Sequence, residues 1–183
     1  EADLLDTVNE EMQRLMQLIN DLLNFSRYQN GLQKLTLAPC SIEDLLEQAR
    51  VRFCGTALAS NIDLVVEVQD PLPRLQADQA QLDRVLDNLI DNALRHTSPG
   101  GQIRLQARRH GERVIISVED NGEGIAYGQQ GRIFEPFVQV GRKKGGAGLG
   151  LALCKEIVQL HGGRMGVYSR PGQGTQFYMA LAV

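Results

Sequence analysis

The stretch DNLIDNALRHT, residues 87–97, decides how the rest of this sequence is interpreted. At about 100° per residue, a helix through this stretch has three distinct faces. Asparagine is a poor residue for a helix interior because its amide competes with the backbone for hydrogen bonds. Two asparagines on one edge therefore indicate either a binding site or caps for a nearby loop. The faces are an apolar stripe (Leu82, Leu86, Leu89, Ala93), a polar edge (Asn88, Asn92, Arg95, His96) and a solvent-facing pair (Asp87, Asp91).

The composition fits one ordinary soluble domain with a short extra segment. The chain has 183 residues, of which 43% are hydrophobic, and a net charge of −3. A negative charge argues against a general nucleic-acid binder, and no apolar run reaches about 20 residues, the length of a membrane span. The three cysteines, Cys40, Cys54 and Cys154, share no metal-ligand spacing, which predicts free thiols in a reducing compartment.

The chain opens inside a helical pattern and without an initiator methionine, which predicts that it is part of a longer protein. Apolar residues recur every three or four positions over about 25 residues, before the first glycine at Gly31. A terminal helix cannot bury such a seam against itself, so the seam predicts a partner helix; packing on the main domain is the alternative. The apolar seam consists of Leu4, Val8, Met12, Leu15, Ile19 and Leu22.

Further helices are interspersed with strands that are mostly linked as hairpins. Ser41 caps one predicted helix, residues 78–96 form the next, and a third follows the glycines at 145–150. Predicted strands are LQKLTLAPCS, IDLVVEVQD, the hairpin QIRLQARR with RVIISVED, and the hairpin RMGVYSR with TQFYMALAV. This order predicts an α+β fold, a two-layer sandwich in which helices cover one face of a mixed sheet.

Two glycine-rich segments provide the other candidate sites. In VEDNGEGI, a strand ends at Asp120, and the glycines that follow let a flat ligand approach the backbone. DNG is also a common turn, which is the plainer interpretation. In GGAGLGLALCKEIV, glycines precede an apolar helix whose first N–H groups can bind an anion; a flexible hinge is the alternative there.

The order and spacing of these segments resemble the ATP-binding catalytic domain of sensor histidine kinases, in the wider group that includes gyrase, Hsp90 and MutL. NLIDNALRHT resembles the N box, DNGEGI the first glycine box, IFEPF the F box, GAGLGLALCKEIVQLHGG the second glycine box and GQGTQF the closing element. The resemblance covers residues 32–183 and implies the Bergerat-type ATP-binding fold. Residues 1–31 resemble the second helix of the dimerisation hairpin that precedes this domain in such kinases.

The resemblance implies a protein-histidine kinase of a bacterial two-component system, a transferase that uses ATP and Mg²⁺. It implies a cytoplasmic domain of an inner-membrane sensor, joined to the membrane only through segments outside this sequence. The implied partners are a second copy, bound through the N-terminal helix, and a response regulator that receives the phosphoryl group in a phosphorelay. No nucleic acid is expected.

The resemblance also implies a role for each motif residue. Asp120 accepts the adenine amino group, Asn92 holds Mg²⁺, and Asn88 lies beside it near the phosphates. Arg95 reaches the phosphates, and Asn88 and Arg95 are the candidate catalytic groups. For the base, the resemblance implies His96 along the purine, Gly122, Gly124 and Ile125 at the pocket floor, and Thr175 near the pocket. For the phosphates, it implies Gly146, Gly148, Leu149 and Gly150 in the second glycine box. Residues 126–147 would form a lid, with Phe134 and Phe137 at its base.

Position 88 bears on the reaction. In hydrolytic members of this group, a carboxylate at this position activates water, and an amide cannot take that proton. Asn88 therefore favours a kinase over an ATPase. The rival interpretations are an ATPase of the same fold, a serine-directed kinase, which would lack the dimerisation helix, and a nucleotide-free module that serves only as an interaction surface.

The sequence departs from the family pattern in its histidines. His96, His110 and His161 are its histidines, and none is on the N-terminal helix. The family's phosphoacceptor lies on the first helix of the hairpin, before residue 1, so we expect this chain to bind Mg-ATP without phosphorylating itself.

The F box and the lid depart from the pattern as well. Pro136 stands where many members have a base, with Arg132 or Arg142 as candidate replacements for its positive charge. Ala147 offers no side-chain ligand inside the lid.

Overall fold

The structure of the protein is a computed structural model that describes residues 2–69, 71–139 and 148–183. The helices are α1 (Ala2–Gln29), α2 (Ile42–Ala59), α3 (Gln79–His96), α4 (Tyr127–Gln130) and α5 (Gly150–Leu160). The strands are β1 (Ala38–Cys40), β2 (Asp63–Val68), β3 (Leu75–Ala77), β4 (Gln102–His110), β5 (Arg113–Asp120), β6 (Arg164–Arg170) and β7 (Gly174–Ala182).

Five strands form one mixed sheet in the order β2-β4-β5-β7-β6. The β2–β4 pair is parallel, and the other pairs are antiparallel, so both predicted hairpins, β4–β5 and β6–β7, are confirmed. β1 and β3 form a separate two-stranded sheet that was not predicted. Each has only three residues, too few for alternation to reveal a strand, and only the end of LQKLTLAPCS is extended in a ladder.

One face of the sheet packs against α2, α3 and α5, which confirms the predicted α+β sandwich. Alternate residues of β4 and β5 point into this layer, as the two-residue period of a strand requires. The apolar stripe of α3 meets them and is fully buried, as predicted. The buried residues that these elements share are Leu82, Leu86, Leu89, Ala93, Ile103, Leu105, Ala107, Val114, Ile116 and Val118.

Asp78 fixes the start of α3 within this layer. Its Oδ1 accepts from the backbone N–H of Gln81, 3.2 Å away, which caps the helix, and its Oδ2 accepts from the N–H of Thr36 at 2.9 Å. Its own N–H donates to Nε2 of His161, 3.0 Å away, at the end of α5. One buried aspartate therefore sets the position of α3 relative to α5 and to the segment after α1.

The two alternatives for α1 each describe part of the helix. Leu15, Ile19 and Leu22 of the apolar seam are about half exposed, as expected of a seam that awaits a partner. Phe25, however, is buried against α5, and Tyr28 is buried in the main core. The last turns of α1 thus pack on the rest of the chain, and the division between residues 31 and 32 stays a prediction.

Two further predictions from composition can be checked over the described residues. Cys40, Cys54 and Cys154 are all free, as expected. In that part of the chain, no helix has the length and apolarity that crossing a membrane requires.

Candidate functional site

The polar edge of α3 borders a cavity of about 290 Å³. Asn88, Asn92, Arg95 and His96 all border it, together with the end of β5 and the start of α5. A larger groove, of about 790 Å³, lies on the open face of the sheet; it includes Gln176 of the closing element but none of the residues to which the resemblance assigns a role. The chemistry of the motifs therefore places the candidate site in the smaller cavity.

The acidic pair of α3 divides between two surroundings. Asp87 contacts Arg52 of α2, whose Nη2 is 2.7 Å from its carboxylate. Asp91 is exposed, as predicted, and it also borders the cavity. Gln17 and Asp21 of α1 border the same cavity. Partial burial raises the pKa of the Asp91 carboxyl, and the nearby Arg95 opposes that rise.

Asp120 is the buried acid of the cavity, with 5% of its surface exposed. Its Oδ1 accepts from the backbone N–H of Gly122 at 2.9 Å, and the Thr175 N–H also donates to its carboxylate. Burial raises the pKa of Asp120, and these two N–H groups and His96 moderate the rise. The result is a fixed acceptor inside the cavity, suited to an amino group of a ligand.

The turn after Asp120 is joined to the end of α3 by two hydrogen bonds. His96 Nδ1 lies 2.7 Å from Glu123 Oε1, and the Glu123 N–H donates to the His96 carbonyl at 3.3 Å. A Cβ on Gly122 would lie 2.2 Å from that carbonyl oxygen, so only glycine fits there. Gly122 shapes the turn but does not itself border the cavity.

Thr175 connects the closing hairpin to the cavity. Its Oγ1 is 2.9 Å from Oγ of Ser169, which in turn accepts from the Ile125 N–H at 2.8 Å. Thr175, Gly124 and Ile125 all border the cavity, as their predicted roles require.

Gly124 gives a direct test of this turn. Its φ of +69° is one that side chains rarely adopt, and a Cβ there would lie 2.2 Å from the Arg170 carbonyl oxygen. Gly124→Ala should therefore lower the free energy of unfolding by roughly 2 kcal/mol or more. Gly128 is the matched control because it lies in α4 and no atom of the described residues lies within 4 Å of its Cβ position. Gly128→Ala should be neutral or stabilising by up to about 1 kcal/mol. Equal urea midpoints for the two variants would contradict the assigned close approach.

The start of α5 forms the far end of the cavity. Gly148 and Gly150 border it, and the N-cap residue of this helix, Leu149, makes no side-chain capping hydrogen bond. The N–H groups of a first helical turn have no partner inside the helix, so they are suited to an anion. The Leu149 side chain points elsewhere, into a buried contact with Phe25 and Ala152. Gly146, Arg142 and Ala147 lie outside the described residues.

The F box contributes core packing more than cavity wall. Phe134 packs edge-on against Phe177, with ring centroids 6.1 Å apart. Phe137 does not border the cavity and is 64% exposed. Its φ is +64°, and its N–H donates to the Gly148 carbonyl at 2.9 Å. The candidate cation Arg132 is paired with Glu135 at 3.2 Å and does not border the cavity either.

Sequence reasoning missed several residues of the cavity wall. Gln17 and Asp21 come from α1, and Gln17 Nε2 donates to Asp21 Oδ1 at 2.9 Å. No periodicity in the sequence shows where a polar flank of a long helix docks. Glu123 lies inside a recognised motif, but at a position to which the motif assigns no role. The others are Ile133, Val138, Gln139, Leu151 and Phe177.

Comparisons with known proteins agree with this geometry. The model of the histidine kinase-, DNA gyrase B- and HSP90-like ATPase family matches residues 77–183. The alginate biosynthesis sensor protein KinB of Pseudomonas aeruginosa is 68% identical over the whole chain, which spans 31% of KinB.

Two solved structures share the fold over nearly the whole chain. Full-length ShkA in complex with AMPPNP has a TM-score of 0.89 and 35% identity, over 98% of this chain and 38% of ShkA. The histidine kinase ThkA, solved with the response regulator protein TrrA, has a TM-score of 0.80 and 25% identity, over 97% of this chain and 49% of that one. From the motifs, the cavity and these matches together, the chain belongs to the histidine kinase-, DNA gyrase B- and HSP90-like ATPase family.

Proposed function

We propose that this chain is the ATP-binding catalytic region of a sensor histidine kinase, which transfers the γ-phosphoryl group of ATP to a histidine outside these residues. The observation that carries the proposal is the cavity itself. It has a buried carboxylate at one end (Asp120), the N-terminus of helix α5 at the other, and two amides between them (Asn88 and Asn92). An adenine nucleotide matches this arrangement: the amino group of its base suits the carboxylate, and its polyphosphate suits the helix N-terminus.

The donor atoms near the amides suit Mg²⁺. Magnesium prefers oxygen ligands and keeps several waters, so it needs few protein groups. Asn88, Asn92, Asp91 and Asp21 offer amide and carboxylate oxygens to the same cavity. Within the described residues, no three His, Cys, Asp or Glu side chains cluster as a dedicated metal cage. Asn92 is the proposed metal ligand, and bound Mg²⁺ would neutralise phosphate charge.

The residues of the chain contribute mainly by positioning. Phosphoryl transfer depends on alignment and charge neutralisation more than on covalent chemistry. In the proposed arrangement, Asp120 orients the base, His96 lies along it, the first N–H groups of α5 bind phosphate oxygens, and Arg95 adds a positive charge. Asn88 provides no base for water, which favours transfer to a histidine over hydrolysis.

Calorimetry with ADP and Mg²⁺ tests the proposal. Binding in the micromolar range with 1:1 stoichiometry is expected, and the absence of binding would favour an interaction module. Phosphate release from ATP, measured in parallel, distinguishes a kinase from an ATPase of the same fold; steady hydrolysis would favour the ATPase.

This chain should bind ATP without labelling itself. His96 is paired with Glu123, His161 contacts the Asp78 N–H and the Ile157 carbonyl, and His110 ends β4 at a hairpin. None of the three is on α1. Incubation with γ-labelled ATP should leave no acid-labile label on the chain, while ADP binding confirms an intact cavity. Stable incorporation of label would contradict this prediction.

The apolar seam of α1 should drive association with a second copy. Leu15 and Ile19 are 57% and 50% exposed and belong to one continuous apolar seam, and contiguous exposed apolar surface marks an interaction site. Leu15→Lys with Ile19→Lys should convert a concentration-dependent dimer to a monomer in sedimentation equilibrium. Leu58→Lys is the matched control, since Leu58 is an apolar residue 81% exposed on α2. Dissociation by the control variant would assign the interface to another surface.

The cellular setting follows from the proposed reaction. The chain spans 31% of its KinB relative. We propose that it is one region of a longer protein that also has a sensor region and a phosphoacceptor region. A response regulator is the proposed recipient of the phosphoryl group. The ATP-binding region is proposed to face the cytoplasm, where ATP is available, below a sensor in the inner membrane.

A further inference from the structure

Cys154 lies on the face of α5 that packs against α3, and it is completely buried. Its Sγ is 3.8 Å from the carbonyl oxygen of Val85, to which the thiol donates. The side-chain amide of Asn88 is the other polar neighbour of this sulfur, and it lowers the pKa of the thiol as a hydrogen-bond donor does. Val85 and Asn88 are three residues apart on α3, so one thiol bridges two neighbouring groups on that helix.

The thiol is chemically suited to this bridging role. Burial raises the pKa of Cys154 to about 12, so the group remains protonated at neutral pH. It keeps an S–H to donate to the carbonyl and lone pairs to accept from the amide.

The other end of the Asn88 amide faces the start of α5. A Cβ built on Gly150 would lie 3.5 Å from Asn88 Oδ1. Gly150 and Cys154 are one helical turn apart, so the amide spans the two, with its nitrogen toward the thiol and its oxygen toward Gly150. Gly150 borders the cavity, and so does Asn88.

Orientation matters because the two ends of an amide are chemically opposite. The oxygen is an acceptor and a hard ligand for a divalent cation, whereas the nitrogen is a donor that a cation repels. Only hydrogen-bond partners decide which end an asparagine presents. A group that binds the nitrogen on the buried side therefore determines what Asn88 offers to the cavity.

We propose that Cys154 is a positioning residue that holds the Asn88 amide with its oxygen toward the phosphate end of the cavity, where it can serve a cation–polyphosphate ligand. The identity of that ligand rests on the proposed function, but the orientation of the amide does not.

The first test uses the protein without nucleotide. Cys154→Val removes the bridge at similar volume, and Cys154→Ser keeps a donor and an acceptor. Cys40→Val is the matched control, because Cys40 is also buried but bonds near Ser41, remote from the cavity. In NMR spectra, the Asn88 side-chain N–H₂ should exchange at least about 10-fold faster in Cys154→Val than in the unmutated chain, and near-normally in the serine and control variants. Equal exchange in Cys154→Val and the unmutated chain would overturn the proposal.

The second test measures ADP affinity with Mg²⁺ and with EDTA. The gain in affinity on adding Mg²⁺ should fall about 3- to 10-fold in Cys154→Val, with the affinity in EDTA unchanged, and the serine variant should recover it. A loss of equal size in both buffers would indicate a merely structural role and overturn the proposal. If the unmutated chain binds no ADP in either buffer, the proposed function fails, and the exchange measurement alone decides whether Cys154 orients Asn88.

Discussion

Asp120→Asn should weaken the binding of ADP with Mg²⁺ about 100-fold, on the order of 2–3 kcal/mol. The buried carboxylate accepts from two backbone N–H groups and has acceptor capacity left for a ligand amine. An asparagine at this position can point its side-chain N–H₂, a donor, at the adenine amine, which is also a donor. Inosine diphosphate provides a second readout, since it has a carbonyl where adenine has the amine. The unmutated chain should prefer ADP strongly, and the variant should lose that preference.

The pH dependence of binding follows from the same group. Burial raises the pKa of Asp120, so its carboxylate is protonated at a higher pH than an ordinary aspartate. ADP affinity should therefore fall as the pH is lowered toward the raised pKa of Asp120, and Asp120→Asn should remove that part of the dependence. A carboxyl with a raised pKa stabilises the fold most below its unfolded pKa, and this contribution is lost as pH rises through the folded value.

The fold of the variant should survive. At neutral pH the amide avoids the cost of burying a charge, but it satisfies one of the two backbone donors less well; these effects oppose each other. We expect the free energy of unfolding to change by less than about 1 kcal/mol. Asp63→Asn is the control, as it removes the same charge from an exposed residue that accepts from Gln102. Unchanged ADP affinity in Asp120→Asn would remove the main support for an adenine site.

The sequence could predict the layers of the fold and one wall of the site because both depend on local periodicity. The stripe through Leu86 and the polar edge through Asn92 follow from the geometry of one helix, and both were found as predicted. The two long hairpins follow from alternation around tight turns. These are properties that a short segment carries in its own residues.

What could not be predicted depends on contacts between distant segments. The docking of α1 is fixed by Phe25 against Leu149 and Ala152 and by Tyr28 in the main core. A heptad pattern does not show that the last turns of the helix pack against a different partner from the rest of the seam. Asp21 reaches the cavity through that docking alone. The pairing of β1 with β3 is likewise non-local, since neither three-residue strand alternates for long enough to be recognised.

Asn92→Ala should abolish the part of ADP affinity that depends on Mg²⁺. Removing the amide leaves the base-recognition end of the cavity intact, so affinity in EDTA should change less than about twofold. With Mg²⁺ present, the affinity should fall to nearly that same value, a loss on the order of 10- to 100-fold. Gln79→Ala is the control, because Gln79 starts the same helix and bonds to Gln48 on α2, away from the cavity.

Comparing affinity with Mg²⁺ and with EDTA distinguishes three possibilities: Asn92 binds the metal, Asn92 caps a loop, or another residue of the cavity binds the metal. A metal ligand loses only the Mg²⁺-dependent gain, whereas an amide that caps a loop loses stability and affinity in both buffers. An unchanged gain in Asn92→Ala would assign the cation to Asn88, Asp91 or Asp21, which border the same cavity. Because Asn92 is partly exposed and outside the apolar stripe, its loss should leave cooperative unfolding intact. If Asn92→Ala loses only the Mg²⁺-dependent gain, ligand binding explains why the amides of α3 occur in a helix interior.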